Sequence, residues 1–281
     1  MKIVVLGAGG LLGRHVVEEL AGVDGAEVRA ATRAQCDVAR AGEVRAAVDG
    51  AGVIINCAAF TNVDGAEADE EGAWRANAIG AENVARAAAD ARATLVHLST
   101  DFVFDGLQSE PYDEFAPPNP LSIYARSKWA GEQLAARALD ELFIVRVQGL
   151  YGAGGANFSS KLRQLVLDGK PLKLDGERRV QPTWARAAAR QILALAASVD
   201  YGLYHVSCGG ETTWAGFAAR LAERLGVAPR WQVVRSDELK APARRPPNCV
   251  FRHRMLALRG IDCLPTWEAA QDDYLAEEAA R

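Results

Sequence analysis

The sequence is short of several things, and each shortage removes a class of function. Its five cysteines, Cys36, Cys57, Cys208, Cys249 and Cys263, are odd in number and nowhere form a CxxC pair. That argues against a disulfide framework and a thiolate zinc site, and a reducing cytoplasm is the expected compartment. The histidines, His15, His97, His205 and His253, fall in unrelated segments without an HxxxH pair, so no metal site is expected. His97 and His205 lie in strand-like runs and are expected in the core with hydrogen-bond partners. No apolar run reaches membrane-spanning length, and the chain starts on a strand-like run in place of a signal-peptide pattern.

An excess of positive charge is also missing. Lys and Arg number 32 against 36 Asp and Glu, a formal net charge of -4. Such a chain carries no overall field for nucleic acid or anionic lipid, and any anionic ligand is met locally. Neither a GxSxG elbow nor a GxxxxGK[ST] loop occurs, which counts against hydrolases and nucleoside triphosphatases. Internal repeats and low-complexity linkers are absent too.

What is present is a globular composition, 281 residues with 49% apolar and 24% charged, enough for one large domain or two unequal ones. Short Val-, Ile- and Leu-rich runs recur at 2–7, 27–32, 52–59, 93–100, 142–148 and 202–207. Ala-rich helical stretches such as 74–89 and 128–139 lie between the early ones. Buried strands alternating with helices imply a doubly wound α/β fold, a parallel sheet covered on both faces. After Tyr151 the regular alternation is lost, so residues 1–150 read as a nucleotide-binding domain and 151–281 as a smaller substrate-binding region. The stretch 183–205, helix-like and then strand-like, is a candidate to return to the first domain.

Directly after the first strand, "VVLGAGGLLGRHVV" places Gly7, Gly10 and Gly13 in a GxxGxxG pattern that opens the first helix. Gly7 permits a tight exit from the strand, Gly10 a close approach of backbone N–H groups to a pyrophosphate, and Gly13 close packing of helix on sheet. With Leu11 and Leu12 between them, they form a candidate dinucleotide site of the Rossmann type. The second strand ends in "VRAATRA", where an NAD site usually has an acid. Arg33 stands there instead and suits a 2′-phosphate, so NADP(H) is the preferred cofactor and NAD(H) the alternative. Asp37 and Val38 are placed to meet the adenine, although an aspartate capping the next helix fits equally.

"STDFVFDG" begins as the fourth strand ends, and "YARSK" follows with Tyr124 and Lys128 four apart. On a helix these two share a face. A phenol ordinarily ionises near about pH 10, and a neighbouring ammonium lowers that value, which equips Tyr124 to exchange a proton with a carbonyl or alcohol oxygen. The Thr100 hydroxyl is a candidate to hold the same oxygen.

Taken together, "NCAAFTNVDGAE" (56–67), "NAIGAENVA" (77–85), "STDFVFDG" (99–106), "YARSKWAGE" (124–132) and "GLYHVSCGGETTWAGFA" (202–218) resemble the dTDP-4-dehydrorhamnose reductase family of the extended short-chain dehydrogenases/reductases. The resemblance runs over nearly the whole chain. It implies reduction of the 4-keto group of a nucleotide-linked 6-deoxy sugar by a reduced nicotinamide cofactor. Tyr124 would be the proton donor, Lys128 its electrostatic partner and ribose ligand, Thr100 the group orienting the keto oxygen, and Asp101 a further active-site residue. Cys57, Ala58, Ala59, Asn77 and Ser99 would lie along the cofactor, and Val103, Phe104, Gly149 and Asn157 at the substrate. A sugar nucleotide would be the partner, with a homodimer possible and neither nucleic acid nor membrane expected.

The chain departs from the family pattern in places. Phe60 replaces the usual tyrosine, and Gly149 in "RVQGLYG" replaces the tryptophan expected beside the sugar, which leaves the pocket larger or shaped for another sugar. In "LDGERRVQPTW", Arg178 and Arg179 suit a substrate diphosphate, and a solvated charged turn equally. Arg244 and Arg245 raise the same two readings. Two other functions stay open: a non-catalytic cofactor-binding regulator resembling the beta subunit of methionine adenosyltransferase, and a nucleotide-sugar epimerase or dehydratase.

Overall fold

The structure is a computed structural model that describes residues 1–154, 158–168, 172–228 and 230–280, leaving aside the side chains of 158–161. The chain opens as β1 (Lys2–Leu6), α1 (Leu11–Leu20), β2 (Glu27–Ala31), α2 (Ala41–Val48) and β3 (Val53–Asn56). Helices α3 (Val63–Ala68) and α4 (Glu70–Trp74) follow, then a π-helical turn (Arg75–Ile79), α5 (Gly80–Ala91), β4 (Thr94–Thr100), α6 (Ile123–Ala138) and β5 (Leu142–Val147). The remainder supplies β6 (Leu150–Tyr151), α7 (Phe158–Leu167), β7 (Leu172–Asp175), β8 (Thr183–Trp184), α8 (Ala185–Ala196) and β9 (Gly202–Val206). Last come α9 (Trp214–Leu225), β10 (Trp231–Val234), α10 (Arg254–Arg259) and α11 (Trp267–Ala279).

Six strands form one parallel sheet in the order β2-β1-β3-β4-β5-β9. They are the six apolar runs of the sequence, and the doubly wound α/β fold is the one the chain adopts. Side chains of a strand alternate between faces, and both faces of this sheet are covered, which is why β1 is apolar from Ile3 to Leu6. Ile3 and Val5 enter a core with Val16 and Leu20 of α1 and Ile192 and Leu195 of α8. Val4 and Leu6 enter the opposite core with Val44 of α2, Val84 and Ala88 of α5 and Ala135 of α6. The strand order reverses between β1 and β3, so a crevice opens beyond their carboxyl ends.

Past Tyr151 the alternation of strand and helix continues, contrary to the sequence reading. Apart from β9, which joins the main sheet, its strands run only two to four residues, paired as β6 with β8 and β7 with β10, and the two middle residues of β10 are exposed. They therefore carry no long apolar signal. A third core, with Tyr151, Trp184, Phe217, Leu221, Trp267 and Tyr274, holds this part together. His97 and His205 are buried, against Asn56 at 3.1 Å and the Tyr112 carbonyl at 3.2 Å. His15, Glu18 and Glu277 come close enough to share a cation, but Arg186 lies 2.7 Å from Glu18 and 2.8 Å from Glu277.

Two contacts fix α6. At Gly131 a Cβ would stand 2.1 Å from the Asn77 carbonyl oxygen, so the helix can approach the π-helical turn only with a hydrogen there. On the sheet side Glu132 meets Arg146 of β5 in a buried bidentate pair, at 2.9 and 2.7 Å, and the Ser99 hydroxyl of β4 donates to the same carboxylate. Removing one member of such a pair leaves an uncompensated buried charge, at about 3–5 kcal/mol. Glu132→Leu or Arg146→Met alone is expected to lose that much in denaturant unfolding, and the double variant to be more stable than either. Singles within about 0.5 kcal/mol of the unaltered chain would refute this role, since changes that small are typical of surface sites.

Candidate active site

The exit from β1 is built to leave backbone N–H groups unspent. Gly7 adopts φ +74°, and its Cβ would overlap Ala58 N at 2.6 Å; a Cβ on Gly13 would sit 2.4 Å from the Gly7 carbonyl oxygen. The turn closes through Gly10 N–H donating to Gly7 O at 2.9 Å. Helix α1 starts with Gly10 as its cap, without a side-chain acceptor and without an acid in its first turn. The N–H groups of Leu11, Leu12 and Gly13 thus point from a positive helix end with no intrahelical partner, which fits a pyrophosphate.

A cavity of about 980 Å³ runs from this turn along the carboxyl ends of the strands. After β2 the Gln35 amide oxygen accepts from both the N–H and the hydroxyl of Thr32, each at 2.9 Å, and so shapes a tight turn. Arg33 projects from that turn into the cavity wall, exposed and without a hydrogen bond or ion pair among the described residues. Asp37 and Val38 line the same wall. One Asp37 oxygen accepts from Ala39 N–H at 3.0 Å, a local turn bond, so that carboxylate has a structural task as well. Cys57, Ala58 and Ala59 line the cavity beyond β3.

Ser99, Thr100 and Asp101 reach the cavity from β4, and Tyr124 and Lys128 from the first turns of α6. Tyr124 is capped into place by Ser122, whose hydroxyl accepts from Ala125 N–H at 3.3 Å, and its ring meets Phe102 edge-on at 6.0 Å. Thr100 hydrogen-bonds to Tyr124 and donates to Asp101 Oδ1 at 3.0 Å. Lys128 Nζ donates to the Leu98 carbonyl oxygen at 2.5 Å.

The electrostatics differ from the expectation at one point. Burial pushes the Tyr124 phenol up to about 12, opposed by the Thr100 bond and aided by the Asp101 charge. The ammonium is turned to the Leu98 carbonyl, and its own value is lowered to about 8 by the same burial. Asp101 is raised to about 6 by burial, against hydrogen bonds from Thr100 and Gln148.

The remaining sequence-derived candidates divide. Gly149, Arg178 and Arg179 line the cavity. Arg179 is spent on a bidentate pair with Glu211, at 3.1 and 2.6 Å, and on the Ser109 carbonyl. Arg178, 3.4 Å from Asp175, has a buried Nε without a hydrogen-bond partner. Arg245 pairs with Asp64 at 2.9 and 2.7 Å, tying the loop before Pro246 to α3 at the cavity rim.

Val103 and Phe104 do not reach the cavity, a correction. A 3-10 turn over Asp101–Val103 turns them inward, fully buried with Tyr112 and Phe251, and Phe102 takes the place at the wall. Asn77 also stands behind the wall. Its amide oxygen accepts from Phe60 N–H at 2.8 Å, and its amide N–H groups donate to Phe60 O and Ser127 Oγ. The Ser99 hydroxyl proton is committed to Glu132 and is not available to a ligand. Asn157 lies outside the described residues.

Sequence reasoning gave no role to Phe102, Gln148, Cys249 or Trp214, all of which line the cavity. Only Gln148, a polar residue directly after β5, carried a readable signal. No helix among the described residues is long and apolar enough to cross a membrane.

Comparison with known proteins agrees with this geometry. A family model described as the RmlD substrate binding domain matches residues 1–280. A dTDP-4-keto-6-deoxy-D-glucose reductase of Streptomyces niveus is 38% identical over 271 residues, covering 95% of this chain and 94% of its own. A dTDP-4-dehydrorhamnose reductase of Mycobacterium tuberculosis is 35% identical over 285 residues, covering 99% and 93%. Among solved structures, the dTDP-4-dehydrorhamnose reductase of Bacillus anthracis, in complex with NADP, superposes with a TM-score of 0.95 at 34% identity over 98% of this chain and 99% of that one. Likeness of this extent, in sequence and in backbone alike, establishes that the chain belongs to the dTDP-4-dehydrorhamnose reductase family.

Proposed function

We propose that the chain reduces the 4-keto group of a nucleotide-linked 6-deoxy sugar, dTDP-4-dehydrorhamnose or a close relative, using NADPH in preference to NADH. The observation that carries this reading is that Thr100, Tyr124 and Lys128 line the same cavity as the Gly7–Gly13 turn. The names of the relatives and the NADP held by the Bacillus anthracis structure support it.

The α1 N-terminus takes the pyrophosphate, and Arg33 the 2′-phosphate, as a charge-assisted pair. Bound there, the reduced nicotinamide supplies the hydride for the carbonyl carbon. The rest falls to side chains. Burial keeps the phenol of Tyr124 protonated at neutral pH, so it holds a proton for the keto oxygen. Thr100, whose hydroxyl lies between Tyr124 and Asp101, turns toward the same oxygen. Lys128, one turn along the helix, carries positive charge that balances the phenolate. Arg178 meets the substrate diphosphate, and the region after Tyr151 covers the sugar.

Three outcomes are expected. The unaltered chain oxidises NADPH on mixing with a dTDP-4-keto-6-deoxyhexose, and Tyr124→Phe lowers kcat by about 10²- to 10⁴-fold with NADPH binding kept. No oxidation with any keto-sugar nucleotide would sink the reading and favour the regulator. Arg33→Ser lowers the preference for NADPH over NADH by about tenfold or more, the worth of one charged hydrogen bond; equal loss for both cofactors counts against that role. The third concerns pH. Lys128 is charged below about 8 and neutral above it, so kcat/KM for NADPH, which reports the free enzyme, declines above that pH. Lys128→Arg moves the decline upward, and a profile flat to pH 10 rules the ammonium out.

A further inference from the structure

Two stretches far apart in sequence meet at the cavity wall. Phe60, Thr61 and Val63 come from the start of α3, and Pro246 and Cys249 from the segment between β10 and α10. From Pro247 onward that segment is firmly bonded. Arg179 N–H donates to the Pro247 carbonyl at 3.0 Å, Tyr112 N–H to the Val250 carbonyl at 2.8 Å and Phe251 N–H to Gln181 Oε1 at 2.7 Å, while the Gln148 amide donates to the Cys249 carbonyl.

Before Pro247 the picture changes. Ala241, Pro242 and Arg244 are exposed, and among the described residues every hydrogen bond from 241–246 to another element ends on Asp64 of α3. Ala243 N–H donates to its Oδ1 at 3.1 Å, and the Arg245 guanidinium donates to Oδ1 and Oδ2 at 2.9 and 2.7 Å. Asp64 directly follows Val63 and Arg245 directly precedes Pro246, so each flanks a wall residue, and neither lines the cavity itself. The contact fastens the two stretches at the rim without adding a group to the wall. Phe60 and Val63 pack with Tyr124, and the Arg245 charge acts on Arg178, which sets this rim beside the proposed proton donor and the proposed diphosphate ligand.

Isolated exposed ion pairs stabilise little. This one is bidentate, the Arg245 side chain is 20% exposed, and Ala243 adds a third bond to the same carboxylate, so the fastened arrangement is favoured by a factor that exchange rates can report.

We propose that Asp64 and Arg245 form a clasp at the sugar-nucleotide end of the cavity. Its release lets the 241–246 loop swing on the part fixed from Pro247 onward, which admits the substrate and frees the product. This rests on the reading that the cavity takes a sugar nucleotide. Because the clasp adds no group to the wall, loosening it speeds passage in both directions and leaves affinity alone.

The test compares Asp64→Ala, Arg245→Ala and the double variant with the unaltered chain. Association and dissociation rates of dTDP-rhamnose, at saturating NADPH, and of NADPH alone are measured by surface plasmon resonance on the full chain. Both rates for dTDP-rhamnose are expected to rise about five- to tenfold in Asp64→Ala, with its Kd and both NADPH rates unchanged. The unchanged NADPH rates also report a folded chain. The double variant is expected to match Asp64→Ala, since that change alone undoes the clasp; effects that add overturn the coupling. Faster dissociation with unaltered association makes the pair a contact that holds the ligand and overturns the proposal, as do unaltered rates or an equal change for NADPH. Failure of the underlying reading looks different: the unaltered chain binds dTDP-rhamnose but turns over no keto-sugar nucleotide, while the exchange rates still report on the clasp.

Discussion

The arrangement depends on a charged pair where charge is most costly. Glu132 and Arg146 face each other between α6 and β5, each with only 3% of its side chain exposed, and Ser99 of β4 joins the carboxylate. A helix packed on a sheet by apolar contacts alone can slide by a fraction of a turn at small cost. The fork of a guanidinium on a carboxylate has a geometry that apolar contacts lack. Because Tyr124 and Lys128 lie on the same helix as Glu132, and Thr100 follows Ser99, the pair sets the register between Tyr124 and the end of β4. Its hydrophobic surroundings extend the effect: the Arg146 guanidinium lies 5.2 Å from the centre of the Phe104 ring, which in turn stacks on Tyr112 at 4.2 Å.

Dryness governs the ionisable groups of the site. The phenol is raised, the ammonium lowered and the Asp101 carboxyl raised, in each case with burial as the largest cause. Burial disfavours every charge in turn. The site therefore holds a proton on Tyr124 across the neutral range, the state that the proposed reduction requires.

How much of this was legible beforehand follows from what each feature requires. The sheet was readable because buried parallel strands are continuous apolar runs, and the glycine turn because its spacing answers a backbone need. Tyr124 and Lys128 were readable because a period of four is a helical property. Beyond Tyr151 only β9 leaves an apolar run; the other strands are too short to leave a pattern, and their order emerges only from pairing. Val103 and Phe104 were misplaced because the resemblance brought the "STDFVFDG" run to the site as a whole, and a single 3-10 turn decides which of its side chains faces the cavity. Arg178 and Arg179 look alike in sequence, yet Glu211, 32 residues after Arg179, decides which of the two is spent. Trp214 left no signal of its own, since only the tertiary fold brings the first turn of α9 to the cavity.

Gly131 carries a last implication. It lies on α6 seven residues after Tyr124 and three after Lys128, and a methyl group there would collide with the Asn77 carbonyl. The depth to which phenol and amine sink beneath the solvent is thus adjusted from outside the cavity, by the thickness of one atom. Tuning such a protein for a bulkier or slimmer guest need not touch any group that meets it; a change in how snugly the helix lies on its support shifts both ionisable side chains at once.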